Sequence, residues 1–190
     1  VFAEIDDQTG LISLDSVKKK LSKKTKAIIP VNLYGQKVNI ENLRKIVGKN
    51  VFIIEDSAQS HFSSTCKDCS KKDHEFCYKN ENSQNYSDLS CFSFYPAKNL
   101  GAYGDGGIIT TNNPKIYKKL LILRNLGSIK KNVHQFEGLN SRLDTIQASV
   151  LLEKIKLTPF HNNYRKKISE FYDNELIPIP EIKVTDTDPG

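Results

Sequence analysis

The sequence predicts an α/β protein, a three-layer arrangement in which a mostly parallel sheet is flanked by helices. Three observations carry that reading. Short β-rich apolar runs recur at 26–35 (KAIIPVNLYG), 51–56 (VFIIED), 90–95 (SCFSFY) and 106–111 (GGIITT). They are apolar on both faces rather than alternating, the pattern of strands covered on both sides. Segments of helical period or turn composition separate them, which is the rhythm of strand–helix units.

Taken in order, the chain opens on the strand-like VFAEID and reaches the first strong run at 26–35. NIENLRKIVGKN follows, with Asn39 suited to cap a helix and Gly48 to end it. After the run at 106–111, Asn113 can cap and Pro114 can take the first helical position. Ile116, Leu120 and Leu123 then share one helical face, and Gly127 closes it. In NSRLDTIQASVLLEKIK, Ser141 and Asp144 have capping-box spacing, and Ala148, Leu151, Leu152 and Ile155 form an apolar stripe. A last helix over about 160–175 carries Tyr164, Ile168, Phe171 and Tyr172. Residues 63–88 break the pattern: polar, without apolar period and holding three of the four cysteines, they read as a long loop insertion.

The 190 residues, 38% hydrophobic and 26% charged, are enough for one domain with a real core. No apolar run approaches the roughly 20 residues that cross a bilayer, and the N-terminus lacks a basic flank and a signal-type apolar core. The expectation is a cytoplasmic protein with no membrane partner. The formal charge of +6 comes from lysines spread over several helices and interleaved with Asp and Glu. That is a solvated surface rather than a nucleic-acid footprint, and no nucleic-acid-binding motif accompanies it. The chain contains no methionine, begins abruptly and ends in the Pro- and Asp-rich IPIPEIKVTDTDPG. It therefore reads as a fragment: 1–175 the central part of a large domain, 176–190 the start of a linker to a truncated small C-terminal domain.

Two strand ends carry candidate chemistry. VFIIED delivers Glu55 and Asp56 at its carboxyl end, where open α/β sheets place ligands. Asp56 as a simple cap of the next element stands level with a functional role on this motif alone. Gln59 lies three residues on, so a helical turn would aim both side chains one way. Lys98 follows SCFSFY and precedes the glycine-rich NLGAYGDGG. A lysine held among aromatics is partly withdrawn from water, and its free amine is a better nucleophile toward a carbonyl. A surface lysine that snorkels after a strand is the commoner case for a lone residue. The combination of strand-end acid, polar partner, strand-end lysine and glycine turn points instead to a Schiff-base site with an acid to protonate a ring nitrogen.

The blocks KAIIPVNLYGQ, IIEDSAQSH, CFSFYPAKNLGAYGDGGIITTNN and GLNSRLDTIQASVLLEKIK, in this order, resemble the DegT/DnrJ/StrS-type sugar-nucleotide aminotransferases. The resemblance runs from Val1 to about Tyr172. It implies the large domain of a fold type I, pyridoxal-phosphate-dependent transferase, the aspartate-aminotransferase fold, incomplete here. It implies roles by position: Lys98 forms the Schiff base with pyridoxal 5′-phosphate and shuttles the proton, Asp56 pairs with the pyridine nitrogen, and Gln59 lies beside the ring hydroxyl. Ser93 corresponds to a phosphate-binding hydroxyl, and Asn140 to the asparagine that reaches the phosphate of the neighbouring subunit, so a homodimer with shared sites is implied. The implied reaction moves an amino group, usually from L-glutamate, to a nucleotide-linked keto-sugar for amino-sugar and surface-polysaccharide synthesis. The form of NLGAYGDGG, LRNLGS and NSRLD most resembles members that aminate the 3-keto position of dTDP-6-deoxyhexoses.

Two alternatives stand against this. A sugar dehydratase or deoxygenase on the same fold would carry histidine where this chain has Lys98. A non-catalytic basic binding module would leave the four blocks unexplained.

The sequence departs from the family pattern in three places. Asn32 stands where the family usually has histidine, which puts the substrate pocket in doubt. The family's N-terminal glycine-threonine phosphate turn, its stacking aromatic and its small domain have no counterpart in these residues, so the piece alone is expected to bind the cofactor weakly or not at all and to be inactive. Cys66, Cys69, His74 and Cys77 have spacing C-x2-C-x4-H-x2-C, four ligand types zinc accepts. The last gap is two residues short of a zinc knuckle, so a reduced-thiol insertion is the favoured reading. Cys91, in a strand, reads as a small buried apolar residue.

Overall fold

The computed structural model describes residues 1–63 and 86–185. The Cys66, Cys69, His74 and Cys77 set, most of the 63–88 loop and the last five residues of the expected linker lie outside the described residues.

Among the described residues the main sheet has four strands in the order β1 (Ala27–Ile28), β2 (Phe52–Asp56), β3 (Leu89–Ser93) and β4 (Gly107–Thr110). The β1–β2 and β2–β3 pairs are parallel, and β3–β4 is antiparallel. A mostly parallel sheet therefore becomes a mixed one at β4. The reason is the length of the connection: residues 94–106 contain no helix and cannot make the crossover a parallel neighbour needs, so the chain doubles back. The first strand is also shorter than the apolar run that announced it. Pro30 has no N–H for the ladder; its carbonyl accepts from the Asp56 N–H at 2.9 Å, and pairing ends in a single bridge between Val31 and Asp56. A 3-10 turn, Leu33–Gly35, follows.

Among the described residues five α-helices accompany these strands: α1 (Leu14–Lys20), α2 (Ile40–Val47), α3 (Pro114–Leu123), α4 (Thr145–Lys154) and α5 (Thr158–Leu176). A two-stranded ribbon, β5 (Ser128–Lys130) with β6 (Val133–His134), lies between α3 and α4. Capping chemistry sets several boundaries. Asn39 accepts from the Asn42 N–H at the start of α2, Gly48 ends it at φ 70°, and Asn113 accepts from the Lys115 and Ile116 amides ahead of Pro114. The box expected of Ser141 and Asp144 is not formed. Asp144 occupies the cap position of α4 without a side-chain bond, and Ser141 instead donates its backbone N–H to the Arg124 carbonyl. Helix α1 and the β5–β6 ribbon have no counterpart in the sequence pattern, because seven residues ending in three lysines and strands of two or three residues are too short for periodicity to register.

Among the described residues two clusters form the core. Leu11, Val17, Val38, Ile40, Leu43, Val47 and Ile53 pack α1 and α2 against β2. Phe94, Leu100, Ala102 and Leu151 pack the turn beyond β3 against α4. Of the expected α4 stripe only Leu151 is buried, whereas Leu152 is 66% exposed; on α5, Tyr164, Phe171 and Tyr172 are likewise exposed. Arg44 of α2 ties the entrances of the two central strands together. Its guanidinium donates to Asp88 at 2.6 Å and to the Tyr86, Gly48 and Val51 carbonyls, and Asp88 also accepts from the Ile53 N–H. Among the described residues no helix is long and apolar enough to cross a membrane.

Candidate active site

Parallel neighbours β2 and β3 end side by side, so whatever follows Asp56 and Ser93 emerges at one edge of the sheet. Consecutive strand residues face opposite ways, and residues paired across the ladder face the same way. The register Glu55↔Ser90 and Asp56↔Cys91 therefore assigns two faces: Glu55 and Ser90 on one, Asp56, Cys91 and Ser93 on the other.

On its face Asp56 is half-buried, and its backbone is locked by Pro30 and Asn32. Its Oδ1 accepts from the Ala58 N–H at 3.1 Å, so the acid does make the local turn-closing contact expected of a simple cap. That contact uses one oxygen only. Residues 57–60 form a single hydrogen-bonded turn, with the Ser60 N–H on the Ser57 carbonyl at 3.1 Å, and not the start of a helix. Gln59 reaches across from it to Tyr34, whose N–H donates to Oε1 at 3.0 Å. Tyr34 sits at φ 56°, a left-handed backbone that favours glycine, and the glutamine helps hold it there. Next to Asp56, burial and then the Asp56 charge push the Cys91 thiol above its ordinary range. The cysteine is half-buried and free, less enclosed than its strand position suggested.

Ser93 ends β3, where its hydroxyl oxygen accepts from the Tyr95 N–H at 3.2 Å; among the described residues the hydroxyl proton has no acceptor. Lys98 is half-buried in the turn that follows, its N–H on the Tyr95 carbonyl at 2.9 Å. Below it the turn is anchored by buried Leu100 and Ala102, and by the Ala102 N–H on the Phe94 carbonyl at 2.8 Å. Gly101 permits this tight return, since a Cβ there would strike the Pro96 carbonyl. Among the described residues no carboxylate pairs with the Lys98 amine. Asn140 stands apart. It is exposed, bridges to Asn125, accepts from Arg142 Nε at 3.1 Å and has no hydrogen bond to the Lys98 or Asp56 turns.

Two residues of this neighbourhood were not singled out as site residues by the sequence. Asn32 is fully buried; its Nδ2 donates to Glu55 Oε2 and Ser57 Oγ at 3.0 Å each, and its Oδ1 accepts from the Val38 N–H at 2.9 Å. The departure from histidine thus sits inside a buried amide–carboxylate network rather than in an open pocket. His61 is 3% exposed, lies against the Phe92 and Phe94 rings, and neither ring nitrogen has a hydrogen-bond partner among the described residues. Burial pushes its imidazole below the usual range, and the Lys98 charge adds to this. A histidine directly after the acid's turn and before an aromatic was the available signal. A cavity of about 340 Å³ opens on the Glu55 and Ser90 face, with His61, Phe92 and Phe94 in its wall and neither Asp56 nor Lys98.

The donor set suits a phosphorylated pyridine aldehyde. Lys98 supplies an amine with no competing acid among the described residues, Asp56 an oxygen not engaged by its own turn, and Ser93 a hydroxyl proton.

Residues 1–190 match the model of the DegT/DnrJ/EryC1/StrS aminotransferase family, and the chain belongs to that family. It is 35% identical over 178 residues to the dTDP-3-amino-3,4,6-trideoxy-alpha-D-glucose transaminase of Streptomyces venezuelae, covering 91% of this chain and 44% of that protein. It is 36% identical over 177 residues to the UDP-2-acetamido-2-deoxy-3-oxo-D-glucuronate aminotransferase of Pseudomonas aeruginosa, covering 93% of this chain and 46% of that protein. The crystal structure of NtdA from Bacillus subtilis with bound cofactor PMP superposes with a TM-score of 0.82 at 26% identity, over 98% of this chain and 40% of that one. The chain thus spans about half the length of the curated relatives it matches. Its α/β architecture is the corresponding part of their fold.

Proposed function

We propose that the full chain is a cytoplasmic, homodimeric, pyridoxal-phosphate-dependent aminotransferase that transfers an amino group from an amino acid, L-glutamate, to a nucleotide-linked keto-sugar. The observation that carries this reading is the delivery of Asp56 and the Lys98 turn to one sheet edge by parallel neighbours, in a chain that belongs to this family. Both curated relatives named above carry a 3-amino or 3-oxo sugar in their names, which favours C3 as the carbon aminated. The division near residue 175, where α5 ends at Leu176, belongs to the same proposal.

When bound, pyridoxal phosphate supplies a ring that accepts electrons from a breaking C–H bond. This chain's residues do the rest. Lys98 takes the proton from the donor carbon and returns it on the other side of the exchange. Asp56 holds a proton on the ring nitrogen by its negative charge, and the Asx turn to Ala58 fixes its orientation. Ser93 would donate its hydroxyl proton to the phosphate, and Gln59, which also holds the Tyr34 turn, would lie beside the ring hydroxyl. Asn140, exposed and without a hydrogen bond to these turns, serves the neighbouring subunit's phosphate.

The test loads the full chain with pyridoxal phosphate and records the visible band of lysine-bound cofactor, then repeats this with Lys98→Ala. The band is expected in the parent and lost in the variant, with amino transfer from glutamate abolished. A parent with no band sinks the enzyme reading, and a band that survives the substitution sinks the assignment to Lys98.

A further inference from the structure

Two helices grip the turn that carries Lys98 through three polar side chains. Gln147 of α4 accepts at Oε1 from the Tyr103 N–H at 2.8 Å. Lys154, at the end of α4, donates to the Gly101 carbonyl at 2.6 Å. Asn162, in the second turn of α5, accepts at Oδ1 from the side-chain amide of Asn99 at 3.1 Å. The third differs from the other two because its remaining group reaches elsewhere: Asn162 Nδ2 donates to the backbone carbonyl of His61 at 2.8 Å. His61 lies at the far end of the turn that begins at Asp56, and Asn99 is the residue after Lys98.

Sheet pairing fixes the chain only as far as Asp56 on β2 and Ser93 on β3. Beyond those residues each strand leads into an irregular turn, and hydrogen bonds outside the ladder must set how the turns stand relative to each other. An amine and an acid that engage opposite ends of one rigid ring need a fixed separation, and small misplacements are expensive in rate. A primary amide can join two such turns, because it donates and accepts at once from one plane. Asn162 is half-buried, so water competes with both bonds less than at an open surface.

We propose that Asn162 is a positioning residue that holds the Lys98 turn in register with the Asp56 turn, by accepting from Asn99 and donating to the His61 carbonyl. The proposal rests on the reading of Lys98 and Asp56 given above.

Three variants of the full chain test it: Asn162→Leu removes both bonds at similar volume, Asn162→Asp keeps only the acceptor, and Asn99→Ala opens one arm without touching α5. The first readout is amide hydrogen exchange in cofactor-free protein. Asn162→Leu should speed exchange about 2- to 10-fold at Ser60 and Ser63 and equally at Lys98 and Ala102, leaving β2 and β3 unchanged. Asn162→Asp should loosen the Ser60–Ser63 turn alone, and Asn99→Ala the Lys98 turn alone. The second readout is kinetic: with Asn162→Leu, kcat falls about 10- to 100-fold while KM for the keto-sugar stays within about twofold. With Asn162→Leu, faster exchange at one turn only, or throughout the sheet, overturns the clamp. Loosening of both turns with kcat unchanged overturns its positioning role. If Lys98→Ala keeps the visible band, the reading of the site falls, while the exchange pattern still decides whether Asn162 joins the two turns.

Discussion

Glu55 and Asp56 are adjacent in the chain and leave the sheet in opposite directions, and their surroundings differ as much as their directions. On its face, which also bounds the cavity, Glu55 has both carboxylate oxygens engaged. Asn32 and Ser90 each donate to one of its oxygens at 3.0 Å, and Asn32 in turn satisfies Ser57 and Val38. On the other face Asp56 spends one oxygen on its own turn, Ser93 keeps a proton and Lys98 has no acidic partner among the described residues. The closed network holds the strand ends in place, and the open set is left to bind something. Buried polar groups need every partner supplied, because leaving one unpaired costs more than the bond itself gains. A site that engages a ligand must do the reverse and keep partners back.

If that contrast is right, the two carboxylates fail in different ways when altered. Asp56→Asn removes the charge that holds a ring proton and leaves the shape and the bond to Ala58 in reach. The expected result is a fall in kcat of about 10³-fold with little change in thermal unfolding, since the residue is half-buried and its backbone bonds remain. Kinetics and a melting curve on the same preparation check it. A variant that instead unfolds with wild-type kcat would put Asp56 in the structural network and erase the distinction.

The opposite outcome is expected behind the sheet. Asn32→Asp sets a second carboxyl 3.0 Å from Glu55 and deletes both amide donations. At neutral pH the loss of stability should be about 3–5 kcal/mol, because a buried charge is left facing a like charge. The sign with pH follows from that repulsion. It raises the folded-state pKa of the new carboxyl, so the protonated form is the one the fold tolerates. The variant's deficit therefore shrinks as pH falls toward the carboxylate range and is largest above it. Denaturant melts at pH 5 and pH 7.5 read this directly. A deficit that does not depend on pH would show that packing, and not charge, makes the Asn32 network unforgiving.

Much of this contrast was legible in the sequence, and unevenly so. The strand-end acid and the strand-end lysine announced themselves because a buried apolar run that stops at a charged residue is uncommon. The caps at Asn39 and Asn113 were legible because capping is a local contact. What could not be read were facts of register and long-range contact. That Glu55 and Asp56 divide between a closed and an open face depends on β3 pairing with β2 in one register out of several. The Asn32 network joins residues 23 and 25 positions apart, and the Asn162 bond to His61 spans 101. The direction of β4 could not be read for a related reason, since an apolar run has the same composition in a parallel as in an antiparallel neighbour, and only the 94–106 connection decides.

The smallest expected effect lies in Cys91, which reports on the open face without taking part in it. Its partner across the ladder is Asp56, and its thiol is pushed up first by burial and then by that carboxylate's charge. Only the thiolate reacts with an alkylating agent, so wild-type alkylation at Cys91 should be slow near neutral pH and rise as pH climbs. Asp56→Asn removes the second cause and keeps the first. The thiol's pKa comes down part of the way, and at fixed pH alkylation becomes faster by a few-fold while still lagging an exposed cysteine. Iodoacetamide labelling of the cofactor-free full chain, with Cys91 read by peptide mass spectrometry, gives the two pH profiles to compare. Profiles that superimpose would mean the Asp56 charge is screened from its own face, and an acid screened in that way could not hold a proton on a ring nitrogen beside it.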